Sequence, residues 1–338
     1  MKTAVVILNY NTRGYLKQFL PGLIASCEGL DAEVMVADNA STDGSADLMQ
    51  AEFPEVPLFL LEKNFGFTGG YNRALSLVEA DYYVLINSDI EVPKDWLKPL
   101  MAWMDAHPDC GACGPKLISY RQRDTFEYAG AAGGLLDRYG YPFCRGRMLQ
   151  TVEKDHGQYD KPAPVLWVSG ACLMVRSSVW KALGGLDERF FAHMEEIDLC
   201  WRMQVRGWKV TVVPESFVYH IGGGTLPNES PFKLRLNFRN NLLLLENNLP
   251  ATFKALNPSL SEQASRRKAR RRILVRKLLD GCSAFIYLCT GRWSFYKAVY
   301  DAHREYRHLR RPGEIPASPH VPEGLYEGWI VPRGLFGK

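Results

Sequence analysis

The chain has 338 residues, 46% hydrophobic and 23% charged, with a formal net charge of +4. That balance is ordinary for a globular protein, and the length predicts one large core with a smaller appended unit. Eight cysteines, of which only Cys110 and Cys113 lie close together, exclude a disulfide framework or a four-ligand zinc site and read as buried free thiols of a reducing compartment. The charge is unevenly divided. Up to Thr225 there are 21 Lys and Arg against 28 Asp and Glu, and from Leu226 onward 20 against 9, so the two parts are expected to face different partners. Lys2 leads straight into an apolar strand, so secretion is not expected.

Thr3 to Leu8 is apolar on both faces, as a strand covered by helices requires, and ends at Asn9-Tyr10-Asn11. A helix follows from about Thr12 to Cys27, with Pro21 predicting a kink or break. The strand Glu33 to Ala37 runs into an acceptor-rich loop from Asp38 to Ser45. Pro57 to Leu61 is a third strand. It leads through Asn64 and Gly66 into a helix that carries Asn72 and ends near Glu79. The glycines at this turn predict close backbone approach to a ligand, and the helix end predicts N–H groups open to an anion.

Tyr82 to Ile86 is too short for a typical helix and reads as a buried strand that stops at Asn87-Ser88-Asp89. In an open α/β sheet, ligands bind outside the carboxyl ends of the strands. Asp89 could there hold a divalent cation against a diphosphate, the alternative being an Asx turn that merely ends the strand. A helix from about Lys94 to His107 and a strand near Cys113 to Leu117 complete five alternations and predict a doubly wound, mostly parallel α/β sheet. No Gly-x-Gly-x-x-Gly follows the first strand, and Gly222-Gly223-Gly224-Thr225 lacks the lysine of a phosphate loop. Dinucleotide oxidoreductases and P-loop nucleotidases are thereby poor fits.

Ser119 to Lys161 reads as an insertion or hairpin over the sheet edge, followed by strand-like Val165 to Val175 and a short helix from Ser178 to Leu183. Glu195, Glu196 and Asp198 then crowd the start of a helix. Carboxylates there are the ordinary response to the helix dipole, yet they also supply a candidate general base. Two short strands, Lys209 to Val213 and Ser216 to Tyr219, lead to His220.

Taken in order, Asn9-Tyr10-Asn11, Asp38-Asn39 through Asp43-Gly44, Asn64-Phe65-Gly66-Phe67, Asn87-Ser88-Asp89, Gly184-Gly185-Leu186-Asp187-Glu188, Phe190-Phe191 through Glu195-Glu196-Ile197-Asp198 and His220 resemble the family 2 glycosyltransferases of the GT-A fold, especially their bacterial rhamnosyltransferase-like branch. The resemblance spans residues 1 to about 225. It implies a nucleotide-sugar-binding half (1–118) and an acceptor and catalytic half (119–225). It further implies that Asn9, Asn11, Asp38, Asn64, Gly66, Asn72, Asn87 and Ser88 line the pocket of a dTDP- or UDP-sugar. Asp89 would bind Mg²⁺ or Mn²⁺ with His220 as second ligand, the imidazole leaning towards Mn²⁺. Glu196 is the first choice of base, Asp198 the second, with Glu195 beside them. The family's Asp-x-Asp is here Asn87-x-Asp89, and its Glu-Asp pair is here Glu195-Glu196. The implied reaction moves rhamnose or another hexose to a hydroxyl of a growing, lipid-linked glycan, with inversion.

Residues 226–311 read as a basic helical region. One helix runs from Phe232 to Leu245 and ends near Asn247 to Pro250, and a second carries Arg266 to Lys277. The apolar run Cys282 to Cys289 is far short of the roughly 20 residues that span a bilayer. Beside Phe285, Tyr287, Trp293, Phe295 and Tyr296, the basic stretch suits an anionic membrane surface, the alternative being an exposed charged helix or a homodimer contact. No nucleic-acid motif accompanies the arginines, so nucleic acid is not an expected partner. Residues 312–338 read as an extended tail. The expected location is cytoplasmic, peripheral on the inner face of the cell membrane. Two other readings stand beside this one. A nucleotidyltransferase would want a glycine-rich, basic loop where Asn9 to Gly14 stands, and a non-catalytic scaffold would be supported by the missing first Asp and the altered Glu pair.

Overall fold

The computed structural model describes residues 2–222 and 230–332. The glycine run at 223–224, the boundary at 225–226 and the last six residues lie outside the described residues.

The first strands and helices alternate as β1 (Thr3–Asn9), α1 (Arg13–Cys27), β2 (Ala32–Asp38), α2 (Ser45–Glu52), β3 (Leu58–Leu60), α3 (Gly66–Ser76) and β4 (Tyr82–Ile86). Then come β5 (Ile90–Glu91), α4 (Leu97–Ala106) and β6 (Cys110–Ser119). The insertion holds β7 (Gly134–Asp137), β8 (Pro142–Cys144), β9 (Arg147–Met148) and β10 (Thr151–Val152). Next come β11 (Ala163–Pro164), β12 (Cys172–Arg176), α5 (Ser177–Leu183), a 3₁₀ turn at Glu188–Phe190, α6 (Glu195–Gln204) and β13 (Lys209–His220). Three long helices follow, α7 (Pro231–Leu256), α8 (Glu262–Cys289) and α9 (Trp293–Leu309), and a last short strand, β14 (Leu325–Tyr326).

The nine-stranded main sheet runs β11-β13-β6-β12-β4-β1-β2-β3, with β5 paired to β13. Pairs among β4, β1, β2 and β3 are parallel, as is β6 with β13, while β12 runs antiparallel between β4 and β6. The doubly wound expectation therefore holds with β12 reversed near the middle and the two-residue β11 and β5 antiparallel to β13. Parallel register places Asn9 beside Asp38 and Asp38 beside Leu60, so the polar strand ends align along one edge. Val5, Ile7, Val84 and Ile86 face one apolar layer, and Ala4, Val6, Tyr83 and Leu85 face the other. Alternation to two covered faces is why these strands read as unbroken apolar runs.

Several expectations are corrected. Pro21 does not break α1, because the ring sits at an exposed position and the carbonyl that it leaves unpaired, that of Lys17, is likewise on the exposed side where water can serve it. The paired segments expected at Lys209–Val213 and Ser216–Tyr219 are one strand with a register shift between Val212 and Phe217. Val165 to Ala171 is buried but is not ladder. Its amides stitch two sheets, Val165 N to Val210 O and Leu166 N to Gly134 O. Helix α7 passes through Pro250 to Leu256, since Asn248, Ala251, Thr252 and Phe253 are all enclosed and packing outweighs the proline's cost of about 3 kcal/mol.

The insertion forms a second, five-stranded sheet, β10-β9-β8-β7-β14. Its last strand comes from the tail, which is docked and not loose. Asp137, 2% exposed, accepts backbone bonds from Tyr139 and Tyr141 at its Oδ1 and from Ile330 at its Oδ2. Asp137→Ala strands one buried N–H group, that of Ile330, and two half-buried ones, and is expected to lower stability by about 2–3 kcal/mol. Urea titration with limited proteolysis should show the loss together with new cleavage after residue 318.

Candidate active site

At the carboxyl ends of β4 and β13, the two-residue β5 pairs antiparallel with the end of β13, setting Ile90 opposite His220. That pairing brings Asp89 to His220, Oδ1 to Nε2 at 3.3 Å, with both side chains buried. Glu127, which no sequence signal marked, lies on the other side of the ring, 3.6 Å from Nδ1, and that nitrogen has no hydrogen-bond partner. Burial alone would push the imidazole down, but Asp89 and Glu127 outweigh it and hold it up to about 10. An enclosed imidazole between two carboxylates is a site that asks for positive charge. Oxygen and nitrogen donors at this spacing fit a divalent cation whose remaining positions would be taken by diphosphate oxygens. Among the described residues no group of three His, Cys, Asp or Glu side chains forms a complete ligand set.

The polar edge beside this corner divides into residues that face outward and residues that brace. Asn11 and Asn64 are exposed, Asn87 is half-buried, and Ser88 and Asp38 are tucked behind them. Asn9 is corrected to a brace. It is fully enclosed, donates to Asp38 Oδ2 at 2.7 Å and to Ser41 at 3.0 Å, and accepts from Thr12. Thr12 in turn reaches Ser88 at 2.7 Å, tying the loop after β1 to the loop after β4. Asn72 is likewise spent, closing a two-way clasp with the backbone of Leu186 at 2.8 and 2.9 Å.

The second half-site is the start of α6. Glu195 is 4% exposed and Glu196 is half-buried, and each has one carboxylate oxygen without a partner. Burial, reinforced by Glu196, raises Glu195 well above the usual carboxylate range. Burial also raises Glu196, to about 6, against the pull of backbone N–H groups including Gly170's. Asp198, the reserve base of the sequence reading, is corrected. It is wholly buried and fully used, accepting from Arg202 at 2.6 Å and from Asn247 and Asn248 at 2.9 Å each. It anchors α6 to α7 and has no face towards a substrate.

Residues 169–171 join the two halves. Glu196 leans on Gly170, Asn87 N donates to Ala171 O at 2.9 Å, and Ser169 bonds Ala129 O in the turn whose N–H holds Glu127.

The loop before Glu195 is strained and clamped. Phe191, His193 and Met194 all have positive φ, a region that non-glycine residues enter at a cost. On one side, the Phe191 carbonyl takes the N–H groups of Phe67 at 2.7 Å and Thr68 at 3.2 Å. The amino end of α3 is therefore already capped and does not offer these groups to an anion. Gly66 is there for the same reason, since at φ +71° a Cβ would lie 2.5 Å from the Phe191 ring. On the other side, Asn240 of α7 donates to the carbonyls of Phe190, Ala192 and His193 at 2.7 to 2.9 Å, and Arg239 adds a bond to Phe190 O. Sequence reasoning missed Asn240. The available signal was Arg239-Asn240-Asn241 standing beside Leu242 to Leu245, polar groups on a helix that must be buried and so must find partners. Asn240→Leu is expected to cost about 1–3 kcal/mol and to lower turnover far more than donor affinity, which urea melts with parallel steady-state kinetics will read.

Comparison with known proteins adds the chemistry. The family model "Glycosyl transferase family 2" matches residues 4–179. A Mycobacterium tuberculosis protein named N-acetylglucosaminyl-diphospho-decaprenol L-rhamnosyltransferase is 27% identical over 306 residues, covering 82% of this chain and 97% of that protein. Among solved structures, GalNAc-T7 with UDP, GalNAc and Mn²⁺ superposes with a TM-score of 0.55 at 16% identity, over 81% of this chain and 54% of that one. The mannosyltransferase PcManGT of Pyrobaculum calidifontis, in complex with GDP-Man and Mn²⁺, gives 0.53 at 13%, over 92% and 88%. Those likenesses are to the GT-A fold. With its alternating sheet, its acidic corner after β4 and a family model covering more than half its length, the chain belongs to glycosyl transferase family 2 and is a hexosyltransferase.

Proposed function

We propose that the protein moves rhamnose, or another hexose, from a dTDP- or UDP-sugar to a hydroxyl of a lipid-linked glycan at the cytoplasmic face of the membrane, with inversion at the anomeric carbon. The observation that carries this reading is the union, through residues 169–171, of a cation-seeking corner at Asp89, Glu127 and His220 with a carboxylate pair, buried Glu195 and half-buried Glu196. The mycobacterial relative, whose name specifies a diphospho-decaprenol acceptor, supports the lipid-linked part. Solved GT-A structures with Mn²⁺ support a divalent cation, Mg²⁺ or Mn²⁺, here.

Asp89 and His220 would hold the ion, with Glu127 orienting the imidazole. When bound, such an ion offsets negative charge developing on a diphosphate leaving group. Asn11, Asn64 and Asn87 face the nucleotide end of the donor, with Asp38 and Ser88 behind them. The acceptor oxygen forms a bond to the anomeric carbon as the bond from that carbon to the diphosphate oxygen breaks, its electron pair leaving with the phosphate. The acceptor's proton passes to Glu196. Burial raises Glu195 well above the usual carboxylate range and Glu196 only to about 6, so Glu196 is the readier of the two to serve as base. One displacement with one base inverts the centre.

The base must be deprotonated, and its affinity for protons is raised to about 6, so turnover should fall about tenfold per pH unit below that value and level off above it. Glu196→Gln should lower kcat by about 10²–10⁴ and abolish the acid limb while the donor still binds. Asp89→Asn should weaken the cation requirement's half-saturation by about tenfold or more, as loss of a charged ligand does. Both are read from nucleoside diphosphate release across a panel of dTDP- and UDP-sugars with Mn²⁺ or Mg²⁺ and a polyprenyl-diphosphate sugar as acceptor. Pyrophosphate in place of nucleoside diphosphate, or a Glu196→Gln enzyme as fast as the wild type, would sink the assignment.

A further inference from the structure

The basic helix expected to meet a membrane is partly committed elsewhere. Arg266 donates to Gly313 O, Arg272 to Arg138 O, and Arg276 to Asp280 and Tyr139 O, so three of its arginines hold the tail, the second sheet and the bundle together. Arg267, Arg270 and Arg271 remain exposed.

The more telling feature lies further along. The inward face of α8 buries Ser265, Ala269, Ile273, Arg276 and Asp280, and then stops. From residue 281 through the turn into α9 as far as residue 297, no side chain is buried, and burial resumes only at Ala298. This projecting hairpin is not polar. Phe285 is 65% exposed, Ile286 59% and Trp293 66%, and Leu278, at 64%, lies on the approach to it. Leu274, Leu278, Cys282, Phe285 and Cys289 follow helical spacing and form one outward stripe on α8, with Tyr300 exposed on α9. Leaving such surface in water is costly, and a contiguous apolar patch of this kind marks an interaction site.

We propose that the α8–α9 tip, residues 281–297 together with Leu274 and Leu278, is a wedge that enters the interfacial layer of an anionic bilayer. The proposal builds on the reading of a lipid-linked acceptor. Charge decides the occupant. Between Gln263 and Tyr300 the only acid is Asp280, which is buried, whereas Arg267, Arg270, Arg271, Arg292 and Lys297 are exposed. A second copy docking through the same patch would set these cations against their own symmetry mates with no acid to offset them. Anionic headgroups supply that offset, and the apolar side chains between the cations gain the acyl boundary. Trp293 and Tyr300 are the residue types that settle at the headgroup level. The apolar turns from Cys282 to Cys289 extend about 12 Å, enough to enter a leaflet, and no described helix is long and apolar enough to cross a membrane.

The test uses the full chain and vesicles of phosphatidylcholine with or without phosphatidylglycerol, read by co-sedimentation. The wild type should pellet with the anionic vesicles and much less with the neutral ones. The triple variant Leu278→Ser, Phe285→Ser, Trp293→Ser alters only exposed side chains outside the active site and should partition at least about tenfold more weakly, with an unchanged circular dichroism spectrum and unchanged donor hydrolysis. Equal sedimentation of variant and wild type, equal binding to neutral and anionic vesicles, or a wild-type dimer in light scattering that the variant dissolves would each overturn the proposal. Vesicle binding needs no nucleotide sugar, so loss of transfer with intact sedimentation counts against the reaction assignment alone.

Discussion

The carbonyl of Phe191 is the joint on which the candidate active site turns. It caps α3, which leads into β4, while Asn240 of α7 grips the carbonyls around it. A loop with three left-handed non-glycine residues would not hold its shape alone, since each such residue costs of order 1 kcal/mol or more. Paid for by bonds from two directions, it delivers Glu195 and Glu196 to one place. The carboxyl-terminal helix is thus not an accessory here. With Asp187 and Asp198 bound by Asn247, and Asp198 also by Asn248, α7 is the wall against which the 3₁₀ turn and α6 are held.

Burial then supplies the chemistry. Two acids at a helix amino end would ordinarily be charged and solvated, stabilised by the dipole. Enclosing Glu195 and half-enclosing Glu196 works against this and raises both, Glu195 well above the usual carboxylate range and Glu196 to about 6. Asp198, two residues on, is just as buried, yet Arg202 and two amides satisfy it completely. Three acids in one short segment therefore have three different fates, each set by what stands opposite. The Asp89 and His220 corner obeys the same rule with the opposite sign, two carboxylates holding an imidazole that solvent barely reaches.

Much of this was legible in residue pattern. The strand–helix alternation, the carboxyl-end loops at Asn9, Asp38 and Asp89, and the acidic start of α6 all follow from periodicity and turn chemistry, which are local properties. The roles of particular polar residues were not. Asn9 and Asn72 look like ligand-facing amides and prove to be braces, and Gly66 serves the Phe191 ring, because which way a polar group points depends on partners more than 20 residues away. Glu127 and Asn240 carried no local mark at all. Both become significant through contacts across 93 and 47 or more residues, with His220 and with the 190–193 loop.

Local sequence thus determined the sheet, the order of its elements and the edge where chemistry gathers, because hydrophobic period and turn residues act within a few positions. Tertiary structure alone decided which acid stays free, which asparagine braces and which arginine is spent indoors. Desolvation and hydrogen-bond satisfaction are properties of the surroundings, and those surroundings are assembled from segments that the chain itself keeps far apart.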